Sequence, residues 1–305
     1  MRTAYLNTLY DLAEKDRRVF ALLADNGIIV YDRFRQDFPE QFLNLGISES
    51  NMVAAAAGMA NQGKIPFAYT IGAFLSFRAL EFIKNDVCLQ NQNVKLIGTG
   101  AGMSYSKLGP THHTTEDLGV LRVLPNLQII TPASPMEVKK ATLAAYEHIG
   151  PVYIRLGTNK EPEIYQEDYE FRIGKAVTLR EGADVTIISM GTILKDVMNV
   201  AEQVEEEHIK VRVINMHTVK PLDKEIIIKA VEETGKIITI EDHSMIGGVG
   251  TAVAEVIAEY GRPVKFIRMG LHGFSQGYGT YDQVRDRNGI GHVDLYSSIH
   301  NIIGG

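Results

Sequence analysis

The stretch "NLGISESNMVAAAAGMANQGKIPFAYTIGAFLSFRALEF" (Asn44–Phe82) decides the fold class. Within it, "SESNMVAAAAGMANQG" reads as an alanine-rich helix, "IPFAYT" as a strand, and "SFRALEF" as the opening of a second helix. A short apolar run set between helices is the unit of a parallel sheet covered on both faces. The alternation continues outward. "RVFALLAD" and "QFLNLG" read as strands before it, and "VKLIGTG", "LQIITP" and "PVYIRL" as strands after it, with "SPMEVKKATLAAYEHIG" as a further helix.

Beyond "RLGTN" the pattern breaks. "KEPEIYQEDYEFRIG" is acidic and polar and carries a proline, which suits an exposed connection. A second series follows, with strands "DVTIISMG", "IKVRVINM", "KIITIED" and "VKFIRMG" alternating with helices and a closing helix at "HVDLYSSIHNII". The expected architecture is α/β, with two domains, 1–170 and 171–305, each a mainly parallel sheet flanked by helices. No sequence repeat relates them.

Bulk properties narrow the function classes. Of 305 residues, 45% are hydrophobic and 22% charged, the balance of a soluble globular protein. The net charge of −6 and the lack of a long basic run argue against nucleic acid as a partner. No apolar run approaches the roughly 18 residues of a membrane span. The N-terminus shows no targeting pattern. The single cysteine, Cys88, excludes an intrachain disulfide and a cysteine zinc site, and fits a reducing cytoplasm. GxxxxGK[ST] and HExxH do not occur, which removes two common enzyme classes.

In open parallel sheets, ligands gather at the carboxyl ends of the strands. That places weight on Asp25, Gly46 to Glu49, Ala73 to Phe77, Thr99 to His113, and Arg155. Each has two readings. Glu49 is either a first-turn acid behind an N-capping Ser48, or an acid in a dry pocket able to share a proton. Phe74 and Phe77, spaced i, i+3, either pack a core or form a shelf for a flat heteroaromatic ligand. "GPTHHTTED" (Gly109–Asp117) is either a loop leading into a helix or a wall whose imidazole donates to substrate hydroxyls. "GGVGTAVAEVIAEYG" is a weak phosphate-cradle signal, outweighed by close helix–strand packing.

In order and spacing, "LLADN", "NLGISESNM", "FLSFRALEF", "LGPTHHTTED", "YIRLGTN", "HTVKPLD" and "IEDHSMIGGVG" resemble the C-terminal half of transketolase over the whole chain. The resemblance implies the C-terminal subunit of a split transketolase, with a pyrimidine-binding domain followed by a transketolase C-terminal domain. It implies thiamine diphosphate chemistry and transfer of a two-carbon ketol unit from a ketose to an aldehyde acceptor. Glu49 matches the glutamate that contacts the pyrimidine N1′. Phe77 matches the ring stacked on the pyrimidine, Phe74 a neighbouring wall, and Asp25 the aspartate beside the thiazolium. His112 matches the histidine on the substrate hydroxyls, and Arg2 and Arg155 match two arginines that hold a sugar phosphate.

The departures imply altered sugar specificity. Leu108 stands where the family has an aspartate that reads a sugar hydroxyl, and Gly100 where it has a second phosphate-binding histidine. The family's Gly-Asp-Gly motif for diphosphate and metal does not occur. A partner chain is therefore expected to bring the diphosphate half and a divalent cation, Mg²⁺ by expectation, in an α2β2 assembly. Two alternatives stay open: the beta subunit of a 2-oxo acid dehydrogenase, and a non-enzymatic module that kept the fold.

Overall fold

β3 (Ile65–Ile71), the strand inside the opening stretch, is buried at every position. The computed structural model describes residues 1–158 and 160–304. β3 lies between β1 (Val19–Leu23) and β4 (Lys95–Thr99), parallel to both. β2 (Phe42–Asn44) extends the sheet beyond β1, while β6 (Val152–Leu156) and β5 (Gln128–Ile130) extend it beyond β4, all parallel.

Side-chain alternation along β3 explains why helices cover both faces. Ile65, Phe67 and Tyr69 join Tyr5, Leu9, Val138 and Ala141 of helices Arg2–Lys15 and Pro135–Glu147. Ala68 joins Met52, Val53, Ala56 and Leu75 of helices Glu49–Asn61 and Gly72–Arg78 on the other face. The alanines keep the Glu49–Asn61 helix close to the sheet. Each larger side chain buried here stabilises the fold by about 1.5–3 kcal/mol relative to exposure. The segment read as one helix from Ser76 is broken after Arg78, resumes at Leu80–Phe82, and widens into a π turn over Ile83–Cys88.

The second sheet contains β7 (Val177–Arg180), β8 (Val185–Ser189), β9 (Val211–Asn215), β11 (Lys236–Ser244) and β12 (Lys265–Leu271), in the order β12-β11-β8-β9-β7. β8, β9, β11 and β12 run parallel, and β7 pairs antiparallel with β9. β10 (Thr218–Lys220) leaves this domain and pairs antiparallel with β5, completing a seven-stranded first sheet. β7, β10 and the helix Tyr281–Arg287 are additions to the sequence reading. The expected boundary near residue 170 falls between β6 and β7, where the described residues form neither helix nor strand. Among the described residues no helix is long and apolar enough to cross a membrane.

Candidate active site

The carboxyl ends of β1, β2 and β3 present most of the expected residues along one rim. Glu49 opens its helix directly after β2 and is only 3% exposed. Ser48 precedes it without a side-chain capping bond, so the acid is not part of a side-chain cap. Arg78, at the end of the next helix, donates through Nη1 to both Glu49 carboxylate oxygens at 3.1 Å. The Arg78 guanidinium carbon lies 4.4 Å from the Phe74 ring centroid, a cation–π contact. Phe74 in turn meets the His112 ring edge to face at 5.2 Å. Glu49, Arg78, Phe74 and His112 therefore form a continuous chain of contacts. Phe77 stands half exposed on the Phe74 helix, with its ring open to solvent.

Nothing in the sequence singles out Arg78. It sits inside the quoted "FLSFRALEF", but the spacing does not say which carboxylate it reaches. Asn44 is a second residue that the sequence reading passes over. Its side-chain oxygen accepts the N–H groups of Asp25 and Gly46 at 3.0 and 3.1 Å, and its amide donates to the Asp25 carboxylate at 2.9 Å. Asp25 is held in the left-handed region at φ 57°, fixed beside the turn that leads to Glu49.

A second group surrounds Arg2. Burial pushes the Tyr69 phenol up to about 12, opposed by the nearby Arg2 cation and reinforced by Tyr105. The Tyr105 ring lies over Gly100, where any Cβ would overlap it. A histidine at position 100 would have to displace that ring, so the family difference is built into local packing. Leu108 is half exposed at the edge of the same loop.

Arg155 requires a correction. It was expected to hold a sugar phosphate, but it is 1% exposed and its donors are engaged within the chain. Nε donates to both Asp117 oxygens at 3.2 and 3.0 Å, Nη1 to Asp242 Oδ1 at 2.9 Å, and Nη2 to the Thr114 carbonyl at 2.6 Å. Tyr153 donates to Asp117, while Thr192 and Tyr281 donate to Asp242. This seam joins the two domains. "GPTHHTTED" is correspondingly split: His112 reaches the rim, whereas His113, Thr114, Thr115 and Asp117 are buried.

The glycine run "GGVG" cradles a carboxylate from its own chain. Glu241 accepts from the Val249 and Gly250 N–H groups at 2.8 Å each, at the start of the Val249–Tyr260 helix. A Cβ on Gly248 would overlap the carboxylate. The helix terminus is filled by Glu241, and the phosphate reading lapses.

For thiamine diphosphate the fit is to one half of the cofactor. A buried acid beside a half-exposed aromatic shelf suits an aminopyrimidine with one basic ring nitrogen and two flat faces. Among the described residues no group of three or more His, Cys, Asp or Glu side chains is placed to hold a metal.

Similarity to known proteins extends over nearly the whole chain. Residues 1–162 match the pyrimidine binding domain of transketolase, and residues 174–291 the transketolase C-terminal domain. The chain is 40% identical over 238 residues to an apulose-4-phosphate transketolase subunit from Actinobacillus succinogenes, covering 78% of this chain and 76% of that one. It is 34% identical over 303 residues to a 6-deoxy-6-sulfo-D-fructose transketolase subunit from a Clostridium species, covering 99% and 94%. A solved split gene transketolase, described as an inactive beta4 tetramer, superposes with a TM-score of 0.92 at 36% identity, covering 99% and 98%. Domain content, identity and fold agree: this chain belongs to the transketolase family.

Proposed function

We propose that this chain is the pyrimidine-side subunit of a two-chain ketol transferase, active when a partner supplies the diphosphate-binding domain and Mg²⁺. The observation that carries the reading is Glu49, buried at the mouth of its helix and linked through Arg78 and Phe74 to His112. The 6-deoxy-6-sulfo-D-fructose transketolase subunit and the split gene transketolase are spanned almost end to end, whereas a transketolase from Pichia stipitis is spanned over 45% of its length. An α2β2 assembly with two partner chains, in the cytoplasm, completes the proposal.

When bound, thiamine diphosphate supplies the nucleophilic carbon and electron sink that hold the two-carbon unit. The chain's own residues do the rest. Glu49 holds a proton at the pyrimidine N1′. Its partner Arg78 is half exposed, so the guanidinium can turn to solvent when another group approaches the carboxylate. Phe77 offers a face to the pyrimidine, and Phe74 fixes the position of His112. The imidazole of His112 donates to substrate hydroxyls. Asp25, braced by Asn44, would face the thiazolium, and Arg2 would meet the anionic end of the sugar.

Leu108 and Gly100 remove two polar contacts, so the substrate is a sugar unlike the usual pentose phosphates. Relatives named for apulose 4-phosphate and 6-deoxy-6-sulfofructose fit that direction. Two measurements test the reading. Calorimetry is expected to show tight thiamine diphosphate binding only with the partner present; micromolar affinity of this chain alone overturns the shared site. Efficient turnover of xylulose 5-phosphate with ribose 5-phosphate would sink the altered specificity.

A further inference from the structure

The second domain places none of the expected site residues on the rim, yet one of its loops bears on the histidine turn at three points. Residues 102–114 form a loop closed at its base by paired backbone bonds, Gly102 N–H to the Thr114 carbonyl at 3.1 Å and Thr114 N–H to the Gly102 carbonyl at 2.8 Å. Its far end rests on residues 275–279. Ser275 Oγ and His113 Nδ1 are hydrogen-bonded, with the two residues 3% and 2% exposed. Ser106 Oγ donates to the Gly279 carbonyl at 2.9 Å. The Tyr278 ring lies against Gly109, where a Cβ would overlap it. His112 is carried on this turn, and its N–H donates to the Gly109 carbonyl at 3.0 Å.

An unanchored loop would sample many conformations, and ordering it during turnover would cost entropy at each residue. Anchors outside the substrate site remove that cost in advance. We propose that the 275–279 loop of the second domain positions His112, with Ser275 acting through His113. The inference rests on the reading of His112 as a substrate contact, and Ser275 is a positioning residue that touches neither substrate nor cofactor. Ser275 Oγ is hydrogen-bonded to the buried His113 ring, so its loss removes a bond that an alanine cannot remake.

Ser275→Ala and Ser275→Thr in the full chain provide the test. Amide hydrogen exchange over residues 103–113 is expected to rise about tenfold in Ser275→Ala, with β3 unchanged and Ser275→Thr close to wild type. Unchanged exchange in Ser275→Ala overturns the proposal. In the pair reconstituted with its diphosphate-binding partner, hydroxypyruvate as donor and glycolaldehyde as acceptor serve as probes. The KM for hydroxypyruvate is expected to rise about tenfold while kcat stays within about threefold, and Ser275→Thr restores it. An unaltered KM in an active Ser275→Ala pair also overturns the proposal. An inactive wild-type pair instead overturns the functional reading, and the exchange result then decides the anchoring by itself.

Discussion

Arg78 and Arg155 carry the same guanidinium at the two extremes of environment. Arg78 is 52% exposed at the side chain and has one carboxylate partner; Arg155 is 1% exposed, with two carboxylates and two carbonyl oxygens around it. The first belongs to a rim whose groups can exchange partners when another molecule arrives. The second belongs to a seam whose groups are satisfied already, so it has no donor to offer a substrate. On the proposed reading, chemistry falls where the chain leaves polar groups incompletely committed, and rigidity where it commits them fully.

The strongest way to break that contrast is Glu49→Gln. In the reconstituted pair we expect a loss of about 10²–10⁴-fold in kcat, the range for removing a proton-transferring group, with assembly intact. Activity within about threefold of wild type would remove Glu49 from the chemistry.

Arg155→Ala comes next. It leaves Asp117 and Asp242 buried without their cation, and urea unfolding should show a loss of about 3–5 kcal/mol. A loss below about 1 kcal/mol would mean that the seam is no more committed than the rim.

A third prediction concerns pH. Burial raises the Glu241 carboxyl from 4.5 to about 7, against the opposing N–H groups of Gly250 and Val249. The folded state thus holds this proton more tightly than the unfolded chain. The associated stability is full below about pH 4.5 and is lost as pH rises through about 7, by on the order of 3 kcal/mol. Glu241→Gln should flatten that part of the stability–pH profile; an unchanged slope would place its origin elsewhere.

The smallest effect is expected for Arg78→Ala. The Arg78 guanidinium is half exposed but the Glu49 carboxylate it serves is buried, and unfolding should shift by about 1–2 kcal/mol, less than for Arg155→Ala. A larger loss would move Arg78 into the class of Arg155.

Much of this was legible along the chain. The central strands of both sheets, such as β3, β4 and β8, are buried at every position and rich in apolar residues, because a parallel strand covered on both faces has no solvent side. β7 and β10 leave no such mark. They are short antiparallel additions of mixed polarity, and partner strands make them strands, not composition. At the site, Glu49, Phe74, Phe77, His112 and Asp25 could be named from their places after strands and from the family pattern. Arg155 met the same criteria and was misplaced, because its partners Asp117 and Asp242 lie 38 and 87 residues away.

The amino-acid sequence by itself determined the α/β alternation, the family, and which side chains stand at the strand ends. Those depend on local periodicity and on residue type, which the chain carries at each position. Only the tertiary structure decided that Arg78 pairs with Glu49, that Glu241 fills the glycine-rich helix terminus, and that Arg155 is locked into the seam. Commitment of a charged group depends on which distant partners reach it and on how much water remains, and both are properties of the folded chain.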